Sequence, residues 1–145
     1  MTIPRMTVIT LGVANLAHAT RFYSKLFSTP PVTQYEGVTF IPLPGVWLSL
    51  YPLEKLVEDT GQNTPLPAPG TFRGFTLAYN ARSREEIVGI FELAAEAGAH
   101  IVKTPQDTFW GGYSGYFTDP DGYYWEIAWG PMFDFSTQGD LQFKT

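Results

Sequence analysis

The 145-residue sequence contains no cysteine, only two histidines and only nine lysines and arginines. Without cysteine, the chain can form no disulfide bond, no thiolate metal site and no cysteine nucleophile. The basic residues form no run, and the formal net charge is −5. Nucleic acids and anionic membranes attract clusters of Lys and Arg, so we expect neither as a partner.

Long apolar runs are also missing, because no stretch approaches the roughly 20 apolar residues that a membrane span needs. The N-terminal run MTIPRMTVITLGV lacks the successive charged, apolar and small-residue regions of a signal peptide. We therefore expect a cytoplasmic protein. Hydrophobic residues make up 44% of the chain, which is typical of a globular domain.

The sequence contains the same order of predicted elements twice. In the first copy, the strand MTVITLGV precedes Asn15, a good N-cap, and a helix with apolar residues every three or four positions. Three strand candidates follow: VTQYE, VTFIPL and VWLSLY. In the second copy, the strand FTLAYNA precedes a Ser83–Glu86 capping box and a helix that ends near Gly98. The strands HIVK, YSGYFT and YYWEIAW follow, and the turn DPDG joins the last two.

This repetition predicts an α+β fold of two βαβββ modules, each with a curved mixed sheet and a helix on its outer face. The two sheets would form a cleft. The segment after the first module is rich in proline, and it would be a crossover or a lid, with room for one helical turn at 53–57. We expect one domain over 1–145, divided into a first module at 5–52, a Pro-rich linker at 53–71, a second module at 72–130 and a C-terminal tail at 131–145.

The last predicted strand holds one carboxylate, Glu126, among aromatic and apolar residues. Period-two alternation places Glu126 on the same face as Tyr124 and Ala128. This face would line the cleft together with Val8, Thr10, Thr76 and Ala78. The other face should pack beneath the helices, and it carries Tyr123, Trp125, Ile127 and Trp129. A carboxylate in the cleft suits a general acid or base. The alternative is a carboxylate that only bonds to a tyrosine hydroxyl or lies at a solvated strand edge.

Several hydroxyl-bearing and aromatic residues are candidates for ligand contact. Aromatic residues form 16% of the chain, and most of them belong in a core, but Trp47 could offer a stacking surface to a flat ligand. The glycines of WGGYSG favour a turn and a bulge. The alternative is a loop in which Trp110 and Tyr113 cover the mouth of the cleft. The substrate-binding candidates are Thr10, Trp47, Thr76, Trp110, Tyr113 and Tyr124.

Two stretches resemble the vicinal oxygen chelate superfamily, which includes glyoxalase I, bleomycin-resistance proteins and extradiol dioxygenases. ITLGVANLAHATRFYSKLF is similar to the opening of the first module of that family, and GYFTDPDGYYWEIAW is similar to the closing hairpin of the second. The resemblance covers about residues 5–130. It implies a small-molecule ligand and a homodimer, because members of the family commonly pair. The apolar residues of the tail also favour docking, either on their own domain or on a second subunit.

The resemblance also implies positions for a divalent metal ion. In metal-using members, the ligands lie on the first strand of each module, on the last strand and, in some, on a further strand of the first module. These positions correspond here to Val8, Thr76, Glu126 and the segment 48–50. Only Glu126 is a suitable ligand, and a transition metal normally needs three or more imidazole, thiolate or carboxylate ligands. Both histidines, His18 and His100, are expected to be partly exposed. We therefore expect no metal and no other cofactor.

These features predict a glyoxalase/bleomycin-resistance/dioxygenase-like protein. It would bind a small, partly apolar or aromatic molecule in the cleft between the modules, without the usual metal. The alternative is a lyase or isomerase of the glyoxalase I type, in which Glu126 is the general base for a proton next to a carbonyl group, with or without a metal. The identity of the ligand, and whether any reaction is catalysed, stay open at this point.

Overall fold

The computed structural model describes all 145 residues and has the predicted α+β fold. The chain divides into two compact units, residues 1–71 and 72–145. Each unit contains a mixed sheet with a helix packed on one of its faces. No helix has the length and apolar character needed to cross a membrane.

The first unit contains a three-stranded sheet and two helices. Its elements are β1 (Val8–Val13), α1 (Leu16–Leu26), β2 (Thr39–Ile41), β3 (Trp47–Pro52) and α2 (Leu53–Asp59). Strand β3 lies in the centre of the sheet, parallel to β1 and antiparallel to β2.

Helix α1 begins where the sequence predicts. The Asn15 side chain accepts a hydrogen bond from the backbone N–H of His18 at 2.9 Å, which satisfies one of the free donors of the first turn. The apolar face of α1 buries Phe22 and Tyr23 almost completely, together with Leu11 and Leu50 of the sheet. One face of the sheet therefore packs against α1 in this core. The side chains of the residues in between, at every second position, point to the opposite face.

The first strand candidate after α1, VTQYE, is wrong. Its segment forms only one isolated bridge, in which Val32 and Phe40 exchange backbone hydrogen bonds of 2.8 and 3.0 Å. Two prolines precede Val32 and supply no backbone N–H groups. Shortly after the bridge the chain turns at Gly37, which has a φ of +79°. Pairing therefore ends after one residue, and the first unit has one strand fewer than predicted.

Part of the predicted linker is a helix that is longer than the single turn expected there. Helix α2 follows β3 directly, and its Leu53 and Leu56 side chains lie over the backbone of Gly12. A Cβ atom on Gly12 would lie 2.5 Å from Cδ1 of Leu53, so the close approach of α2 to β1 requires glycine. Apolar packing thus fixes a segment whose composition is typical of a loop.

The second unit contains a four-stranded sheet, one helix and a separate hairpin. The sheet has the order β4-β7-β6-β5, with β4 parallel to β7 and the other pairs antiparallel. Its elements are β4 (Leu77–Asn80), α3 (Arg84–Ala97), β5 (His100–Asp107), β6 (Tyr113–Thr118), β7 (Tyr124–Trp129), β8 (Phe133–Phe135) and β9 (Leu141–Phe143).

Helix α3 has the predicted ends, with one change in the capping box. The Ser83 hydroxyl accepts a hydrogen bond from the backbone N–H of Glu86 at 3.1 Å, and Gly98 ends the helix with a φ of +105°. The Glu86 carboxylate accepts from the backbone N–H of Arg82 at 2.8 Å, one residue before the N-cap. The buried side of α3, which includes Phe91, packs against β5, β6 and β7.

The DPDG turn between β6 and β7 is confirmed. Asp119 is buried, and its Oδ1 atom accepts backbone hydrogen bonds from Asp121 and Tyr123, each at 2.9 Å. Gly122 has a φ of +85° and donates its N–H to the carbonyl oxygen of Asp119 at 3.0 Å. These bonds fix the length of the turn, and therefore which residues of β6 and β7 face each other.

The C-terminal tail docks on its own unit as the hairpin of β8 and β9. The Phe133 and Phe143 rings stack at 5.6 Å, and the Arg82 guanidinium lies 4.3 Å from the centre of the Phe135 ring. Leu141 and Phe143 nevertheless stay exposed. The hairpin therefore keeps an apolar surface that its own unit does not cover.

Candidate functional site

Glu126 lies in the central part of the second sheet, on the face opposite α3. Strand register pairs it with Ala78 of β4 on one side and with Tyr116 of β6 on the other. Tyr116 is paired in turn with Lys103 of β5. Paired residues of neighbouring strands point to the same face, so these four side chains form one row across the sheet. We call this surface, with Tyr124 on the same strand as Glu126, the Glu126 face.

The Glu126 carboxylate is held by the neighbouring tyrosine. The Tyr116 hydroxyl donates a hydrogen bond to Oε2 of Glu126 at 2.9 Å, and both side chains are half-buried. Burial raises the pKa of Tyr116 above its ordinary value of 10.0, and the hydrogen bond and the negative charge of Glu126 raise it further. Tyr116 therefore stays protonated at neutral pH and keeps donating. The other oxygen, Oε1, accepts no hydrogen bond from the chain.

An aromatic pair lies beside this carboxylate. Tyr124 is two residues before Glu126 and shares its face, and the Phe72 ring meets the Tyr124 ring edge-on at 5.2 Å. Tyr124 is half-buried, whereas Phe72 is 56% exposed. Thr76, also predicted for this face, is exposed and lies just before β4. The Glu126 face thus combines one held carboxylate with accessible aromatic surface.

Sequence reasoning expected Ala78 on this face, and it missed Tyr116 and Phe72. Counting outward from a four-residue DPDG turn would pair Thr118 with Tyr123 and Tyr116 with Trp125. The register of the structure differs by one residue and pairs Tyr116 with Glu126, so the turn sequence alone gives no signal for Tyr116. Phe72 reaches the site through a tertiary contact with Tyr124, for which the sequence gives no local signal.

The first unit has its own open sheet face, on the side opposite α1. Strand register aligns Thr10, Ser49 and Phe40 across it, and Thr10 was predicted as a ligand contact. A shallow cavity of about 370 Å³ lies there, lined by Val8, Thr10, Val38, Phe40, Ser49, Tyr51, Leu56 and Asp59. Trp47 lies next to this cavity at the start of β3, 44% exposed, with its ring edge-on to Phe40 at 6.2 Å.

The structure does not bring Trp110 and Tyr113 to Glu126. The ring of Trp110 packs on the backbone of Gly112 and Gly130, where any Cβ atom would collide with it. Tyr113 begins β6, and alternation places it with Phe117 on the α3 side of the sheet, where its ring lies 5.1 Å from the Arg84 guanidinium. WGGYSG is thus a packed turn, which was the favoured interpretation of its glycines.

The donor atoms present do not fit the divalent metal of the family. Val8 offers no ligand atom, Thr76 offers a neutral hydroxyl, and Glu126 supplies the one carboxylate at the expected positions. No three His, Cys, Asp or Glu side chains come together in the chain. His18 and His100 are both exposed, as predicted. A zinc, iron, nickel or manganese ion normally has three or more protein ligands.

Comparison with protein families agrees with this fold. The family model described as Glyoxalase/Bleomycin resistance protein/Dioxygenase superfamily matches residues 5–127. The chain therefore belongs to the glyoxalase/bleomycin resistance protein/dioxygenase superfamily, as its two recognisable stretches predicted.

Solved structures of the same superfamily share the fold. A glyoxalase-related enzyme from Fulvimarina pelagi is 29% identical, with a TM-score of 0.85 over 99% of this chain and 100% of that chain. A glyoxalase/bleomycin resistance protein/dioxygenase from Nocardioides is 25% identical, with a TM-score of 0.74 over 89% and 85%. Lactoylglutathione lyase from Agrobacterium tumefaciens is 20% identical, with a TM-score of 0.65 over 89% and 96%, which shows the shared fold alone.

Proposed function

We propose that the chain binds a small, partly apolar or aromatic molecule on the Glu126 face, without the metal that many members of the superfamily use. The observation that carries this proposal is the half-buried Glu126 carboxylate, held through one oxygen by Tyr116 and flanked by the ring of Tyr124. A few fixed polar groups beside aromatic surface are typical of small-molecule sites.

The cavity of the first unit supports the same class of ligand. Its walls combine the Phe40 ring with apolar side chains, and hydroxyl groups come from Thr10, Ser49 and Tyr51. Such a surface favours a molecule with a flat or apolar body over a strongly charged one. The net charge of −5 also disfavours polyanionic ligands.

Titration with naphthylethanol tests the proposal. This neutral probe carries an aromatic body and one hydroxyl group, and backbone amide shifts in NMR spectra would report where it binds. We expect saturable shifts in β6 and β7 around Glu126 and Tyr124. Replacement Tyr124→Leu should weaken binding about fivefold because a ring contact is lost. Phe109→Leu, at an exposed position of the β5–β6 turn, is the matched control. Absence of saturable shifts on the Glu126 face contradicts the proposal.

A lyase or isomerase is the second candidate, and one observation favours it. Oε1 of Glu126 is free of protein hydrogen bonds while Oε2 is fixed by Tyr116, so the carboxylate is held with one oxygen available. In this position Oε1 would accept a proton from a carbon next to a carbonyl group. If Glu126→Gln abolished turnover of a substrate but kept its affinity, the enzyme would be favoured. Recovery of the bound ligand unchanged after incubation would favour a binding protein.

The metal-free part of the proposal has a separate test. Elemental analysis of the purified protein, before and after dialysis against a chelator, measures bound divalent ions directly. We expect less than stoichiometric metal and unchanged binding of naphthylethanol after chelation. One tightly bound divalent ion per chain would overturn this part of the proposal.

We also propose that the chain forms a homodimer. Leu141 and Phe143 of the C-terminal hairpin are 48% and 72% exposed, although the hairpin docks on its own unit through other residues. Contiguous apolar surface of this kind is costly in water and is typical of protein interfaces.

A further inference from the structure

We infer that the Glu126 face selects ligands that carry a protonated amine beside an aromatic ring, and that it rejects carboxylates of the same shape. This inference rests on the proposed function and names its ligand class. It starts from the observation that the side chains of this chain cannot hold the divalent metal ion of the family. A divalent cation at this position would present positive charge to ligand oxygens, whereas a carboxylate alone presents negative charge.

The hydrogen bond between Tyr116 and Glu126 has a fixed direction. Tyr116 gives its only hydroxyl hydrogen to Oε2 of Glu126. The pair then offers a ligand only lone pairs, two carboxylate oxygens and one phenol oxygen. The raised pKa of Tyr116 keeps this arrangement at neutral pH. A ligand must therefore bring the hydrogen, which an ammonium or hydroxyl group does and a carboxylate does not.

No cation of the protein is paired with the Glu126 carboxylate. Arg84 forms its salt bridge with Asp107, on other elements, and Glu126 is in no salt bridge. The cation in its row, Lys103, is separated from it by the strand that carries Tyr116. Two strand spacings correspond to about 10 Å, a distance at which solvent and salt screen most of the attraction. Glu126 therefore keeps a negative charge that a ligand cation can pair with.

Two aromatic rings lie on the same face as the Glu126 carboxylate. Tyr124 lies two residues from Glu126 on the same face, and Phe72 meets it at 5.2 Å. Residues two apart on a strand are separated by about 7 Å, so one small molecule with a ring and a short polar arm can contact both side chains. Arylethylamines have this form.

The test compares three probes with the same naphthyl body: naphthylethylamine, naphthylethanol and naphthylacetate. Dissociation constants are measured by calorimetry at neutral pH and low salt. We expect the amine to bind about tenfold more tightly than the alcohol, the lower end for a charge-assisted hydrogen bond, because Glu126 is only half-buried. The carboxylate should bind most weakly. Amine binding should also weaken with added salt, whereas alcohol binding should not.

Variants assign the preference to one residue. Glu126→Gln keeps an acceptor for Tyr116 but removes the charge, and it should reduce the amine-to-alcohol affinity ratio to about one. Glu92→Gln makes the same chemical change on an exposed position of α3 and should keep the full preference. Unfolding curves confirm that both variants are folded.

The outcomes separate the two proposals. Binding of all three probes with equal affinity, or tighter binding of naphthylacetate, overturns the amine inference and leaves the proposed aromatic site standing. An amine preference that survives Glu126→Gln also overturns the inference, because another group then provides it. If none of the probes binds, both the inference and the proposed function are wrong.

Discussion

Two tyrosine–glutamate hydrogen bonds occur in the second unit, and at the scale of single residues they have different surroundings. Tyr116 donates to Glu126 on the sheet face opposite α3. Tyr79 donates to Glu86 at 2.5 Å, beside the first turn of α3, where Glu86 also binds the backbone of Arg82. The second bond ties β4 to the helix and is structural, whereas the first holds a carboxylate beside accessible aromatic surface.

Because of Tyr79, we expect the folded protein to lose stability at high pH. Its pKa is raised from 10.0 to about 12, first because burial disfavours the phenolate and then because of the hydrogen bond to Glu86 and the charge of Glu86. The folded chain therefore holds this proton more tightly than the unfolded chain. The resulting stability is fully present below pH 10.0 and is lost as the pH rises towards about 12.

Urea unfolding across this pH range measures the effect. We expect the free energy of unfolding to fall with rising pH, and to fall less steeply in Tyr79→Phe. Tyr116 accounts for part of the remaining slope, because its pKa is raised as well. Tyr35→Phe, at an exposed position of the first unit, is the control and should keep the original slope. An unchanged slope in Tyr79→Phe would show that its proton is not held in the folded state.

At the scale of elements, the packing of β5 against β6 depends on Gly115. The register of β5 shifts on both sides of Lys103, which brings its backbone close to β6. A Cβ atom on Gly115 would lie 2.6 Å from the carbonyl oxygen of Lys103, 2.7 Å from Cζ of Phe91 and 2.9 Å from the nitrogen of Pro105. Backbone atoms on one side and the core of α3 on the other leave no direction in which to relax.

We therefore predict that Gly115→Ala destabilises the protein by about 1–3 kcal/mol, the usual cost of overpacking. Gly89→Ala is the matched control. Gly89 lies in α3 with nothing within 4 Å of the added Cβ, so this change should stabilise the helix by about 1 kcal/mol. Chemical denaturation measures both values. Equal stability of Gly115→Ala and the parent protein would mean that β5 does not pass so close to β6.

Helices α1 and α3 and the β6–β7 hairpin could be predicted from the sequence because local signals determine them. Asn15, Ser83 and Gly98 lie at the ends of helices, and the DPDG turn fixes its own hydrogen bonds. The segment VTQYE has strand composition, but pairing depends on partners far along the chain, and only Val32 finds one. Helix α2 was underestimated because its contacts with Gly12 are equally remote.

Part of the candidate site was predictable for the same reason. Alternation along the last strand placed Glu126 and Tyr124 on one face, and the structure confirms that face. Applying the same alternation to YSGYFT would have placed Tyr113 with Phe117 towards α3, away from Glu126. Because WGGYSG was also interpreted as a loop over the cleft, Tyr113 was kept as a candidate for ligand contact. The contact between Phe72 and Tyr124 depends on tertiary packing, which no local pattern reports.

At the scale of the whole molecule, the chain has the fold of its superfamily, but its side chains do not form a group of metal ligands. The family model spans residues 5–127, yet the positions that would hold a metal carry Val8, Thr76 and a single acid, Glu126. A fold can keep its architecture while the chemistry of its site changes, because packing and ligand contacts use opposite faces of the same strands.

The proposed homodimer is testable at this scale. We expect sedimentation velocity to give twice the 16.2 kDa mass of one chain at micromolar concentrations. Phe143→Ser should shift the equilibrium towards the monomer because it removes an exposed ring from the hairpin. Val88→Ser, at an exposed position of α3, should leave the dimer intact. A parent protein that is monomeric throughout, or a Phe143→Ser variant that stays dimeric, would contradict this interface.

Whether Glu126 recognises the polar end of a ligand can be seen in a crystal structure of the protein with naphthylethylamine. We expect electron density for the amine within hydrogen-bonding distance of Oε1 of Glu126, with the ring against Tyr124 and with the bond from Tyr116 to Oε2 retained. Density for the probe elsewhere on the chain, or a metal ion coordinated by Glu126 in place of the amine, would show that Glu126 does not bind the ligand in this way.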